Sequence, residues 1–392
     1  MLILNNGNIS AKSKAGDAKG IEAETHGDSS EIYIGNSATI TAAGSMSTYG
    51  IWAETHHKES GITIINDGDV AAQGPNSYGI HALTHEAYSD VVVQNFGRVE
   101  ARGTGIFVEA NSSAAIVENY GTVVGGSLGI LVAGDDVTGI INYGSITADS
   151  FYAIKLVPGS APEDKSAIVN FGVITGFVEI FGTDDQFVFN NEEGGLFEAR
   201  LTSFLGCGGF FNQAGGTVHT ADDPRVAETT SFTELSLFQN KGLISLQDGA
   251  PGDTFLITSG PYSYGSVLSF VGSGKSTLGV DAFLGGPGST SDIFIIDGDV
   301  SGRTELKVDD TNHGPGVLNT VGIPVVFVNG NVKGNAFFLN KPIDTGFFDY
   351  DLFFRPTGSG VFALKSFLGA GAFVLPQLIT AAQDMWHSGS DT

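Results

Sequence analysis

A short motif that returns at nearly constant spacing is the feature that most constrains the fold of this chain. The motif Gly-Ile-x-(Ala/Val) occurs five times and then weakens in a sixth copy, and the copies start 24 to 30 residues apart. They start at Gly20, Gly50, Gly79, Gly105, Gly129 and Ala153. Periods of this length are typical of solenoids, in which each repeat buries its apolar side only against its neighbours.

A second motif, (Ile/Val)-x-Asn-x-Gly-x-(Ile/Val), alternates with the first. Good copies centre on Asn66, Asn95, Asn119, Asn142, Asn170 and Asn240, and looser copies surround Asn5, Asn36, Asn190 and Asn212. Each repeat thus holds two or three short strands broken by Gly and Asn, and about ten repeats precede residue 250. The pattern predicts an all-β protein, a right-handed parallel β-helix in which equivalent residues of neighbouring coils lie about 4.8 Å apart.

Other β architectures fit this period less well. A propeller needs four strands in roughly 40–45 residues, which is longer than these repeats. The Leu-rich consensus of leucine-rich repeats is absent, and a β-sandwich would not explain why the two motifs recur.

Strand alternation predicts which side chains of the two motifs point inward. If Ile21 and Ala23 are inside, Glu22 and Glu24 are outside. The motif asparagines are then also inside, where each amide can pair with the next coil and satisfy bent backbone groups. We therefore expect a structural ladder of Asn66, Asn95, Asn119, Asn142 and Asn170. The aromatic residues that follow it, Phe96, Tyr120, Tyr143 and Phe171, are expected to stack for structural reasons rather than for recognition.

The charge of the chain argues against several classes of partner. Lys plus Arg number 18 and Asp plus Glu number 43, which gives a net charge of −25. A surface this acidic repels nucleic acids and anionic membranes. The single cysteine, Cys207, excludes an intrachain disulfide, which is consistent with export through a membrane in an unfolded state, although cytosolic proteins show the same count. No signal peptide or apolar stretch of about 20 residues is visible, so we expect a piece of a longer protein.

The C-terminal third has a different character and contains an ordered series of motifs. The series begins with Ser291-Asp292-Ile293-Phe294 and continues with Ser301-Gly302 and Thr304. It then passes through Gly322-Ile323-Pro324-Val325-Val326 and the aromatic-rich residues 346–352, and it ends with Phe362-Ala363-Leu364-Lys365-Ser366. This order resembles the C-terminal junction, or autochaperone region, of pertactin-like bacterial autotransporter passengers. The resemblance covers about residues 265–366. Phe362 stands where that family usually has Trp and Phe348 where Tyr is common, so both aromatic anchors are kept.

The resemblance implies a division of the chain and a location. Residues 1–250 would form the repetitive passenger, 251–366 an autochaperone-like, aromatic-rich cap, and 367–392 a linker toward a translocator barrel, with Pro376 opening a short helix. The protein would be exposed on the outer membrane, or secreted after cleavage, and would fold from its C-terminal end.

For function, the resemblance favours a passenger without catalytic activity or cofactor. We expect an adhesin or other interaction protein of type V secretion, active in virulence, that binds a host or matrix protein or a glycan through the side of the helix. A carbohydrate-active β-helix enzyme and a structural stalk are the alternatives.

The outward position of the first motif supplies candidate binding residues. Trp52, His81, Phe107 and Leu131 share that position and would form an apolar stripe for a partner or glycan. The alternative is that the long corner loops cover them.

A histidine repeat supplies weak candidates for a metal site. His26, His56 and His85 follow a threonine in three successive repeats, so stacking would align them beside Glu24 and Glu54. A solvated corner with copied residues is the commoner outcome, so no metal is expected.

Clustered carboxylates are the feature that would support an enzyme. The pairs are Asp135-Asp136, Asp184-Asp185, Asp222-Asp223 and Asp309-Asp310. No converging His or Arg is visible beside them in the sequence, and turn positions explain paired Asp residues more often than catalysis does.

Overall fold

The repeats stack as coils joined by parallel strand pairing. The computed structural model describes residues 1–159, 166–181, 187–260, 267–357 and 359–390. In chain order the first strands are β1 (Leu2–Asn5), β2 (Ile9–Lys12), β3 (Ala18–Thr25), β4 (Ile32–Asn36), β5 (Ile40–Ala43), β6 (Ser47–Thr55), β7 (Ile62–Asn66), β8 (Val70–Gln73), β9 (Asn76–Thr84), β10 (Val91–Asn95), β11 (Arg98–Ala101), β12 (Thr104–Ala110), β13 (Ala115–Asn119), β14 (Thr122–Gly125), β15 (Leu128–Gly134), β16 (Thr138–Asn142) and β17 (Ser145–Pro158).

The later strands are longer on average and end in a hairpin and a helix. They are β18 (Ser166–Asn170), β19 (Val173–Ile180), β20 (Phe187–Asn191), β21 (Leu196–Ala199), β22 (Thr202–Asn212), β23 (Thr217–His219), β24 (Thr229–Asn240), β25 (Leu243–Ser245), β26 (Thr254–Thr258), β27 (Leu268–Gly272), β28 (Thr277–Ala282), β29 (Ile293–Gly302), β30 (Thr304–Asp310), β31 (Ile323–Val328), β32 (Phe337–Phe338), β33 (Ile343–Asp344), β34 (Phe348–Thr357) and β35 (Ser359–Leu368), followed by the helix α1 (Gly371–Ser390).

Three parallel sheets run the length of the solenoid, one for each strand of a coil. The first sheet contains the strands that end in the motif Asn, such as β7, β10 and β13, and the second contains those that follow the motif Gly, such as β8, β11 and β14. The third sheet contains the Gly-Ile-x-(Ala/Val) strands β3, β6, β9, β12 and β15. The fold is therefore a parallel β-helix of about 11 coils, as the repeats predict.

The inward asparagines form the predicted ladder. In every step the Nδ2 of one Asn donates to the Oδ1 of the next at 2.7–2.9 Å, from Asn5 to Asn240. The ladder includes Asn66, Asn95, Asn119, Asn142 and Asn170, all fully buried. One looser copy was misassigned, because Asn191 rather than Asn190 pairs with Asn170. At the end of the ladder, Asn240 donates to Ser276 Oγ instead.

The glycine after each ladder asparagine allows neighbouring coils to approach closely. A Cβ on Gly121 would lie 1.9 Å from the carbonyl oxygen of Gly97, which no side chain could tolerate. In each motif an aromatic residue stands between the ladder asparagine and the glycine. These residues stack outside the helix with centroids 4.7–4.8 Å apart: Phe96, Tyr120, Tyr143 and Phe171. The predicted aromatic ladder is therefore present as a structural stack.

The composition of the core changes along the helix. Ile, Val and Ala fill the N-terminal coils, whereas phenylalanines fill the core from β20 onward. Phe189, Phe197, Phe210, Phe232, Phe238, Phe255, Phe270 and Phe294 are fully buried and contact one another in a continuous column. Each ring buries more apolar area than Val or Ala, so the C-terminal coils gain more per coil from the hydrophobic effect.

The C-terminal end is closed by an antiparallel hairpin. Strands β34 and β35 pair with each other, and β35 also pairs antiparallel with β31. Phe362, at the position where the family usually has Trp, is buried and packs against Phe337 and Phe354. Tyr350 is also buried, and its hydroxyl donates to the carbonyl of Val317 at 2.7 Å.

The residues beyond the hairpin form a helix. Helix α1 begins at Gly371, five residues before Pro376, so it is longer than the short helix expected to open at that proline. Among the described residues, no helix combines the length and hydropathy needed to cross a membrane.

Candidate binding face

The predicted stripe residues lie side by side on the outer surface of the third sheet. Register pairs Trp52 with His81, His81 with Phe107 and Phe107 with Leu131. All four are half-buried. The rings of His81 and Phe107 stack with centroids 4.7 Å apart.

A second aromatic column, which the motifs did not reveal, flanks this stripe. Tyr49 and Tyr78 stack with centroids 5.4 Å apart, and both meet the ring of His81 edge-on at 5.4 and 5.1 Å. Tyr78 also contacts Phe107. Together with Trp52, these residues form what we call the aromatic face: Tyr49, Trp52, Tyr78, His81 and Phe107.

The second column does not follow strict alternation, because β6, β9, β12 and β15 each have an irregularity at the Gly-Ile step. In β6 both Gly50 and Ile51 point inward, so the residues on either side, Tyr49 and Trp52, both point outward. Two consecutive inward residues bring two outward columns together. The signal in the sequence was a Gly that directly precedes the core Ile.

A lysine covers one end of the aromatic face. Lys19 Nζ lies 3.5 Å from the centroid of Trp52 and 5.9 Å from that of Tyr49, within the range of cation–π attraction. The same ammonium pairs with Glu22 at 2.7 Å. The rings are thus shielded by one another and by this lysine, which explains their partial burial.

His81 behaves as a neutral aromatic ring in this setting. Burial lowers its pKa from 6.5 to about 4, opposed by the charge of Glu54 and assisted by that of Lys19. Its Nδ1 is buried and has no hydrogen-bond partner in the described structure. A neutral imidazole stacked on Phe107 is therefore the form present at neutral pH.

Charged residues surround the aromatic face. The stripe continues in register to Glu22 before Trp52 and to Lys155 after Leu131. Two residues further along each strand, Glu24 and Glu54 occupy the outward position. The face is therefore an apolar island in an acidic surface.

The three candidate histidines also come together, at the corner that follows the third sheet. His26 stacks on His56 at 4.4 Å and His56 on His85 at 4.8 Å, with nearly parallel rings. Glu24 and Glu54 lie beside them as expected.

One carboxylate pair, Asp222-Asp223, has arginine partners. Arg200 donates to Asp222 Oδ2 from both Nε and Nη2, at 3.0 and 2.7 Å, and Arg225 binds Asp223. The expectation of no converging Arg was therefore wrong. Arg200 reaches Asp222 from the adjacent coil, whereas Arg225 lies only two residues after Asp223 and was overlooked in the sequence. A depression of 240 Å³ lies beside this pair, and Glu228 also lines it.

Of the other Asp pairs, Asp135-Asp136 lies in a bend between strands and Asp309-Asp310 ends strand β30. Asp135 accepts a hydrogen bond from Ser112 N, and Asp310 accepts from the backbone of Leu284 and Asn312. These are structural roles. Asp184 and Asp185 lie outside the described residues.

A further group of carboxylates is buried under loops near β26. Asp253, Asp281 and Asp292 are at most 3% exposed and accept hydrogen bonds from backbone amides. Burial raises the pKa of Asp253 to about 6 and that of Asp292 to about 7, against the lowering effect of these amides. These acids brace loops and are closed to a polymeric substrate.

The fold and its outer face define the class of this protein as a parallel β-helix with an aromatic C-terminal cap and a lateral aromatic face. Residues 254–352 match the family model described as Autochaperone Domain Type 1. A segment of 130 residues, 31% of the chain, is 33% identical to the probable autotransporter YfaL of Escherichia coli K12 and covers 9% of that protein. A segment of 114 residues, 29% of the chain, is 32% identical to the uncharacterized protein YuaQ of the same organism and covers 7% of it.

The C-terminal third thus matches an autochaperone domain, and part of the chain is similar to a probable autotransporter. The chain spans less than a tenth of the length of either curated relative that it matches.

Proposed function

We propose that this chain is an autotransporter passenger and an adhesin, which binds a host or matrix protein or a glycan through the aromatic face. The observation that carries the proposal is the grouping of Tyr49, Trp52, Tyr78, His81 and Phe107 on one outward surface. Aromatic residues dominate binding hot spots, and an apolar patch with a polar border is typical of interaction sites.

The rigidity of this face supports binding rather than a structural role alone. Its side chains project from hydrogen-bonded strands and stack on one another, so little side-chain entropy is lost when a partner docks. The aromatic ladder from Phe96 to Phe171 is different, because its four rings form one single-file stack. That ladder is our internal control surface.

Catalysis is the weaker alternative. A polysaccharide hydrolase needs two accessible carboxylates on either side of the scissile bond. Beside the depression near β22, Asp222 is neutralised by Arg200, which leaves Glu228 as the other acid lining it. The buried acids near β26 cannot reach a substrate. We therefore propose that the passenger is not an enzyme.

We also propose that the full-length protein carries a C-terminal translocator domain, which exports this passenger and either keeps it on the outer membrane or releases it after cleavage. Helix α1 follows the cap and would lead toward that domain. A role as a stalk that displays another domain is the remaining alternative.

The test is binding of the purified chain to an array of glycans and extracellular-matrix proteins. The variant Trp52→Ala/Phe107→Ala removes two rings of the aromatic face, and Phe96→Ala/Tyr143→Ala removes two rings of the control ladder. We expect the first variant to lose binding and the second to keep it, with β-rich circular dichroism in both.

No binding by the parent chain would contradict the adhesin proposal and favour the stalk. Release of products from an arrayed polysaccharide would favour the enzyme.

A further inference from the structure

We propose that the histidine corner binds one divalent transition-metal ion, of the zinc, copper and nickel class, through His56 and one neighbouring His–Glu pair. Two overlapping ligand groups exist: Glu24, His26 and His56, and Glu54, His56 and His85. In each group the three ligand atoms lie within 4.8 Å of one another.

The backbone places these side chains in register. Thr25, Thr55 and Thr84 precede the three histidines, and each threonine hydroxyl donates to a carbonyl five residues later, at 2.6–2.9 Å. The amide of His56 donates to the carbonyl of Thr25, and that of His85 to Thr55. The corner is thus the same in three coils, and the imidazoles leave it in the same direction.

The distances between ligand atoms suit a small ion in the first group. Glu24 Oε1 lies 3.0 Å from His26 Nε2 and 2.9 Å from His56 Nε2. Tetrahedral zinc with bonds of about 2.0–2.1 Å needs ligand atoms about 3.3 Å apart. Small rotations of these side chains would therefore let an ion replace the hydrogen bonds that Glu24 makes with the two histidines.

The second group is less symmetrical. Glu54 Oε1 lies 2.7 Å from His85 Nε2 but 3.5 Å from His56 Nε2. Because the Nε2 of His56 has one lone pair, the two groups compete for it, and one ion occupies the corner at a time.

The donor set determines the class of ion. Two imidazoles and one carboxylate suit zinc, copper and nickel, whereas calcium and magnesium prefer oxygen ligands alone. Three protein ligands also leave coordination positions for water or for a group supplied by a partner.

The experiment is calorimetric titration of ZnCl₂ and NiCl₂ into the chelator-treated chain, prepared without a polyhistidine tag. His56→Asn removes the shared ligand, and Asn is compatible with this corner because Asn111 takes the same place in the next coil. The matched control is His57→Asn, which removes the adjacent exposed imidazole; this ring pairs with Asp28 at 3.3 Å and belongs to neither ligand group.

We expect the parent chain and His57→Asn to bind one ion, and His56→Asn to lose at least about tenfold in affinity. His26→Asn and His85→Asn then identify the occupied group, because the variant that weakens binding more removes one of its ligands. Equal affinities in His56→Asn and the parent would overturn the proposal, as would equal losses in His56→Asn and His57→Asn. Circular dichroism of each variant establishes that the fold is retained.

Discussion

Replacing Asn119 with alanine breaks the asparagine ladder in its middle. In the native chain Asn119 accepts from Asn95 at 2.8 Å and donates to Asn142 at 2.8 Å, and its amide also reaches the carbonyls of Gly121 and Ser145 at 3.2 Å. The substitution leaves the buried Oδ1 of Asn142 without this donor, which costs about 1–3 kcal/mol, and removes hydrogen bonds worth about 1 kcal/mol each. We expect a loss of about 2–5 kcal/mol in the local free energy of unfolding.

The matched control is Asn5→Ala at the open end of the ladder. Asn5 is half-buried and donates to one ladder neighbour, Asn36, so its loss should cost only about 1 kcal/mol. Because solenoids often unfold in several steps, the measurement is native-state hydrogen exchange of the coils beside each substitution rather than one global transition. If Asn119→Ala raised exchange in β13 and β16 no more than Asn5→Ala does in β1 and β4, the reasoning about the ladder would be refuted.

Three further predictions concern stability. Gly121→Ala should abolish folding or destabilise the chain more than Gly7→Ala does. A Cβ at position 121 would meet a backbone oxygen at 1.9 Å, whereas a Cβ at position 7 would meet nothing within 4 Å. Equal thermal midpoints of the two variants would contradict this. Burial raises the pKa of Asp253 from 3.8 to about 6, so the folded state binds this proton more tightly and the stability it contributes is lost as pH rises through 6. Asp253→Asn should therefore flatten the fall in thermal midpoint between about pH 4 and pH 7, whereas the exposed control Asp136→Asn should not. Equal slopes would contradict this. In denaturant, the backbone amides of the phenylalanine-filled coils in residues 187–368 should be the last to exchange hydrogen. Earlier exchange there than in the N-terminal coils would show that the rings do not dominate stability.

Much of the fold was predictable because the solenoid repeats its constraints. Every coil needs an inward Asn at the same bend and a Gly where two backbones touch, so the motif itself carries the register. The error at Asn190 arose where two asparagines adjoin, since composition alone could not distinguish which one points inward.

The candidate site was only partly predictable. The stripe from Trp52 to Leu131 follows from the repeat, but the Tyr49 column depends on an irregularity at Gly50 that breaks alternation. The pairing of Arg200 with Asp222 depends on the register between coils whose corner loops differ in length. This last contact is set by three-dimensional stacking and leaves no periodic signal in the sequence.

The most direct test of the proposed binding function is the dissociation constant of the strongest array ligand, measured for the parent chain and the two double variants. Loss of hot-spot rings costs about 2 kcal/mol or more, so Trp52→Ala/Phe107→Ala should weaken binding by about thirtyfold or more. Phe96→Ala/Tyr143→Ala should bind as the parent does. Equal affinities for all three proteins, or a greater loss in the control variant, would contradict the assignment of the aromatic face as the binding surface.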